Sequence, residues 1–184
     1  MFKRRGKPLF IVAKMSASQR LRRIGFLYPM TSVRTAGIAD VEAIVRLINA
    51  AFLVERFFVD GDRTNSEKVR SLMEKGKFLL VDGGPSLAGC VYAELRGERG
   101  YIGLLSVDPA RQGSGLGRQL VAAAEDFFRA AGCRFSDLRI VNVRTELSAF
   151  YRKLGYAETG TSPFEGDAPP KLPAHFITMS KPLV

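Results

Sequence analysis

The 184-residue chain has no tryptophan, one histidine and two cysteines. His175 has no histidine partner, and Cys90 and Cys133 lie far apart without metal-ligand spacing, so the common histidine and cysteine metal centres are excluded. Neither cysteine stands beside a histidine, which argues against a cysteine nucleophile. Two isolated cysteines in apolar surroundings read instead as small core residues in a reducing, cytoplasmic setting. Long hydrophobic runs are also missing. Pro8-Leu-Phe-Ile-Val-Ala13 falls well short of the ~20 apolar residues that span a bilayer, so no membrane partner is expected.

Acidic residues are absent from residues 1–31, which hold eight basic ones. Removing these eight from 28 leaves 20 basic against 18 acidic residues in the remainder. The formal charge of +10 is therefore concentrated in the extension, and a nucleic-acid-binding patch is not expected on the folded part. The extension has the composition of an organelle presequence. It equally fits a start upstream of the true one, since Met15 and Met30 follow, or an arm for anionic surfaces. We read 1–31 as an extension without catalytic role and 32–184 as one domain.

Along the domain, apolar periodicity and turn residues predict strands at Ser32–Ala36, from Phe78 into the turn before Pro85, and at Leu87–Leu95. Further strands are expected at Tyr101–Val107, Phe135–Val141, Tyr156–Gly160 and Ala174–Ser180. A helix beginning at Asp40 carries Val41, Ile44, Val45, Ile48 and Phe52 at helical spacing, and a second runs from Asn65 to Lys75. A third follows residue 115 with Leu116, Leu120, Ala124, Phe127 and Ala131 on one face. A short fourth spans Glu146–Leu154, and Phe57–Arg63 and Thr161–Pro173 read as loops. Hairpins mixed with βα units give an α+β sheet with helices on its faces.

One junction carries chemistry. The strand ending Leu105-Ser-Val107 enters Asp-Pro-Ala-Arg-Gln112-Gly-Ser-Gly-Leu-Gly-Arg118 and a helix starts at once. Alternating Gly113, Gly115 and Gly117 allow positive φ and close approach of the backbone to a ligand. A helix start adds unpaired N–H groups and partial positive charge, so an anion, most simply a pyrophosphate, fits there. No Gly-x-x-x-x-Gly-Lys-Ser/Thr occurs, and Arg118 stands where Gly-x-Gly-x-x-Gly needs its third glycine.

Gln112-x-x-Gly115-x-Gly117 after Val107-Asp-Pro109, with Phe150-Tyr-Arg-Lys-Leu-Gly-Tyr156 downstream, resembles the GNAT superfamily of acyl-CoA-dependent N-acetyltransferases. The likeness covers about residues 32–183. It implies a central mixed sheet of six to seven strands with about four helices, the fourth and fifth strands splayed around acetyl-CoA. It further implies that the backbone of Leu105, Ser106 and Val107 binds the pantetheine. Gln112, Gly113, Ser114, Gly115, Leu116, Gly117 and Arg118 would then surround the pyrophosphate. Tyr151 matches the family tyrosine that protonates the departing CoA thiolate, a role that suits a phenol. The implied reaction is direct attack of an amine on acetyl-CoA, without a metal; a non-catalytic acyl-CoA-binding or regulatory module on the same fold is the alternative.

Two departures from the family pattern stand out. Arg144 occupies the position where many members have asparagine, open to a CoA contact or to a solvent-facing salt bridge; Asn142 is out of register. The fourth strand, Tyr101–Val107, lacks the frequent glutamate, leaving Glu55, Asp60, Asp62 and Glu94 as possible bases, each expected to be a solvated surface charge. For the acceptor, a small-molecule or peptide amine, the expected lining is Phe57, Phe58, Phe164 and His175, with Asp60, Asp62 or Glu165 facing a cation. The same reading leaves monomer and homodimer open.

Overall fold

In a computed structural model the described residues are 32–166 and 168–183. The proposed extension, 1–31, lies outside them. Seven strands form one sheet: β1 (Val33–Thr35), β2 (Lys77–Asp82), β3 (Leu87–Arg96), β4 (Arg99–Val107), β5 (Phe135–Val141), β6 (Ala157–Pro163) and β7 (His175–Pro182). Their order is β1-β2-β3-β4-β5-β7-β6, antiparallel throughout except for the parallel β4–β5 pair. The helices among the described residues are α1 (Val41–Phe52), α2 (Ser66–Lys75), α3 (Leu116–Ala130) and α4 (Thr145–Lys153), joined by short 3-10 turns. The α+β sheet and its four flanking helices match the expected class.

The centre of the sheet is buried on both faces, as β2 and β3 show by their nearly continuous apolar burial, while the edge strand β6 is mostly exposed. One face packs against α3 and α4, where Leu120, Val121, Ala124 and Phe128 meet Val91, Ile102, Leu138, Ile140 and Met179. On the other face Val41, Ile44, Ile48 and Val69 of α1 and α2 meet Phe78, Leu80, Cys90 and Tyr92. Both cysteines are free and buried, as their apolar neighbourhoods predicted.

Two local expectations are corrected. Phe127 is only partly buried and Ala131 exposed; the inward face of α3 is turned by about one residue, to Leu120, Val121, Ala124, Glu125 and Phe128. The strand β6 runs on to Pro163, because pairing with β7 continues to Pro163↔His175; a proline is tolerated at this sheet edge, where no further strand needs its N–H. A 3-10 turn, Leu53–Phe57, extends α1, and the expected loop follows it through Arg63.

The feature that creates a site is the incomplete β4–β5 pair. The two strands pair only from Arg99↔Phe135 to Ile102↔Leu138, so Gly103–Val107 and Arg139–Val141 part company. On its other edge β4 bulges against β3, with Tyr92↔Gly103 followed by Cys90↔Ser106. Leu104, in the bulge, has φ 49, the only positive φ of a non-glycine residue among those described. A bulge bends its strand and re-aims it, and here the bend falls where the gap begins.

Candidate active site

The gap opens into a cavity of about 1140 Å³ that runs from the glycine loop, between β4 and β5, to α1 and the turn after it. At the loop end, Asp108 caps the 3-10 turn Pro109–Arg111 by accepting from the Ala110 N–H at 3.0 Å. The chain then reverses through Gly113 (φ 78) and Gly115 (φ 89), the latter being the left-handed N-cap of α3. A Cβ at either glycine would meet nothing within 4 Å; it is the backbone conformation that requires glycine there. Gly115 supplies no capping side chain, so the first N–H groups of α3 face outward without helix partners. Such a junction favours phosphate oxygens, so the residues present fit the pyrophosphate of a CoA ester.

Of the residues expected at the donor site, Leu105, Val107, Gln112, Gly113, Gly115, Leu116, Gly117, Arg118 and Tyr151 line this one cavity. Ser106 and Ser114 do not. The Ser106 hydroxyl is buried and donates to Leu104 O at 3.0 Å, and that of Ser114 donates to Arg111 O at 2.6 Å. Their side chains thus shape the loop while their backbone remains beside the cavity.

Tyr151 comes from the last turn of α4, with its ring edge-on to both Phe150 and Tyr156 at centroid distances of 5.0 and 5.7 Å. It is buried, and its hydroxyl has no hydrogen-bond partner among the described residues. Burial pushes its pKa above the ordinary phenol value, with the nearby Tyr101 adding to the rise and Arg144 opposing it. The phenol therefore keeps its proton across the neutral range.

Arg144 stands at the N-cap of α4, but it does not face solvent. Its side chain is 15% exposed and donates to Glu55 Oε1 at 3.1 Å and to Glu146 Oε1 at 2.5 Å. Glu55, expected to be a surface charge, is the buried carboxylate of the cavity wall, and desolvation raises its pKa despite the arginines Arg63 and Arg144. Asp60, Asp62 and Glu94 also line the cavity, nearer solvent, and each has a cation: Lys171 at 2.7 Å, Arg56 at 3.7 Å and Arg96 at 2.9 Å.

The aromatic lining is only partly as expected. Phe58 and Phe164 face the cavity, edge to face at 5.9 Å, joined by Phe52 and Phe176, which the sequence reading missed. Phe57 is half exposed, and neither it nor His175 lies on the wall. His175 is tied through its backbone N–H to Asn142 Oδ1 at 2.8 Å, so Asn142 fastens β7 to the end of β5. Glu165 lines a smaller recess beside Arg63.

A splayed sheet with a glycine turn and a buried tyrosine on one cavity is the arrangement the sequence motifs implied. The acetyltransferase (GNAT) family model matches residues 42–156, more than half of the chain. The chain belongs to the GNAT acetyltransferase family. This GNAT protein is 30% identical to "IAA acetyltransferase" of Azospirillum brasilense, an alignment covering 84% of this chain and 98% of that one. It is 29% identical to "mycothiol acetyltransferase" of Saccharopolyspora erythraea over 66% of its own length, but spans only 42% of that longer protein. Its fold superposes on the ribosomal-protein-S18-alanine N-acetyltransferase of Escherichia coli with a TM-score of 0.66, at 17% identity, covering 83% of this chain and 93% of that one. This GNAT protein is accordingly an acetyl-CoA-dependent acyltransferase. No helix among its described residues is long and apolar enough to cross a membrane.

Proposed function

We propose that the enzyme moves the acetyl group of acetyl-CoA to a primary amine by direct attack, with Tyr151 as the acid that meets the departing thiolate. The observation that carries this reading is Tyr151, a buried residue whose protonated hydroxyl has no hydrogen-bond partner among the described residues and which lines the same cavity as the glycine loop. The pyrophosphate would lie against Gln112–Arg118 and the pantetheine along the open edge of Leu105–Val107. The amine nitrogen forms a bond to the thioester carbonyl carbon, the C–S bond breaks, and the sulfur takes the phenolic proton. Tyr151 is reprotonated from solvent. The surplus proton of the amine leaves on the acceptor side, where Glu55 is the buried carboxylate. An N–H of the Leu105–Val107 segment would polarise the carbonyl oxygen.

Thiol release from acetyl-CoA over an amine panel tests the proposal. Tyr151→Phe is expected to lower kcat by about 10²-fold or more while leaving the KM for acetyl-CoA within about twofold. An unchanged kcat would remove Tyr151 from the role. Binding of acetyl-CoA without transfer to any amine would overturn the acceptor class.

A further inference from the structure

The acidic and basic side chains on the acceptor half of the cavity are unevenly engaged. Each carboxylate there is matched: Glu55 and Glu146 by Arg144, Asp60 by Lys171, Asp62 by Arg56 and Glu94 by Arg96. Two guanidiniums are not. Arg139 and Arg63 both line the cavity, and neither has an ion pair or hydrogen bond among the described residues, although the charge of Arg63 acts at longer range on Glu55. Instead each lies over a ring, Arg139 over Phe176 at 4.7 Å and Arg63 over Phe52 at 5.2 Å.

Their placement follows from the sheet. Arg139 is the first β5 residue beyond the paired segment, so no β4 residue is hydrogen-bonded opposite it. The next β4 residue after the pairing is Gly103, which brings no side chain to the gap; a Cβ there would meet the Tyr101 and Tyr92 rings at 3.2 and 3.4 Å. The Phe176 ring beneath Arg139 is itself stacked on Phe164 at 5.2 Å, which makes an apolar wall beside the guanidinium. A guanidinium over a ring and without an ion-pair partner has N–H groups available to a bidentate carboxylate. A polyamine, by contrast, would need an unmatched carboxylate; those of this wall are paired, and Glu165 lies in the smaller recess beside it.

We propose that Arg139, with Arg63 as a second cation of the cavity wall, selects acceptors that carry a carboxylate and an apolar body beside the reacting amine, that is, small amino carboxylates. The inference rests on the amine-acetylation reading above. Charge-assisted, bidentate recognition is among the strongest polar contacts available to a substrate.

The test compares kcat/KM for matched acceptors, L-phenylalanine against 2-phenylethylamine and L-leucine against 3-methylbutylamine, with spermidine as a cationic control. Preference for the amino carboxylate by about tenfold or more in each pair is expected. Arg139→Gln should shrink that ratio at least about fivefold, and Arg139→Lys should retain part of it because the charge stays. A merely structural role for Arg139 would lower both members of a pair alike and leave the ratio unchanged, which overturns the proposal. Equal or faster transfer to the decarboxylated amines or to spermidine by the wild type overturns it too, while leaving amine acetylation intact. If acetyl-CoA binds and no amine is acetylated, amine acetylation fails and this inference with it.

Discussion

Glu55 and Arg144 are 89 positions apart in sequence, yet they hold the turn after α1 against the start of the Tyr151 helix. Neither partner is well solvated, with side chains 11% and 15% exposed. Removing one partner of such a pair leaves the other charge stranded, typically at a cost of about 3–5 kcal/mol. Arg144→Met is therefore expected to destabilise the protein, and the deficit should depend on pH. Desolvation already raises the Glu55 pKa above its ordinary value of 4.5, and losing the arginine that opposes that rise would lift it further. A raised carboxyl pKa in the folded state favours folding most below the ordinary value, and that contribution is lost as pH rises through the folded-state value. Urea unfolding should show a larger deficit for Arg144→Met at pH 8 than at pH 5. Equal deficits would mean that Glu55 does not bear the stranded charge. Glu55→Gln should lack this pH dependence, since it removes the titrating group.

At the scale of elements, the junction between β4 and α3 was legible because its signal is local. Three glycines, a proline turn and a following apolar helix state their conformation within a dozen residues. The inward face of α3 was misjudged for the opposite reason. Glu125 occupies a core position because Lys181 of β7 donates to both of its oxygens at 2.7 and 2.9 Å and Tyr156 donates at 3.1 Å. Nothing near Glu125 in sequence announces those partners, and an acid in the stripe pushes a periodicity reading toward Phe127. The buried pairing of Arg144 with Glu55 and the place of Phe176 on the cavity wall escaped for the same reason, since both depend on contacts between segments far apart in sequence. The packing of α3 on β4 also yields a sharp expectation at Gly100. A Cβ there would lie 2.1 Å from the Phe128 ring, which is wholly buried. Gly100→Ala should cost about 1–3 kcal/mol, the usual range for overpacking, or more if the ring cannot turn away. Thermal unfolding will measure it, and a change below about 0.5 kcal/mol would mean that α3 can slide on the sheet.

Across the whole molecule, the domain joins a well-covered sheet to a deliberate defect in it. Strands β1 to β4 and β5 to β7 are each continuously paired, and they are stitched together over four residue pairs. Past Ile102, the backbone groups of β4 and β5 that would bond each other face a cavity instead. The seam between the two halves of the sheet is thus its least reinforced line, and a donor lying along Leu105–Val107 would occupy the place of a missing strand. Its effect would be visible in solvent exchange. Among the amides of residues 103–107, those not engaged with β3 should exchange with deuterium quickly in the free protein and slow by about 10²-fold at acetyl-CoA concentrations ~100 times Kd, in step with the ~2.7 kcal/mol that such occupancy contributes. The bulge that opens the seam would then leave the protein's local stability, as well as its chemistry, dependent on the supply of its donor.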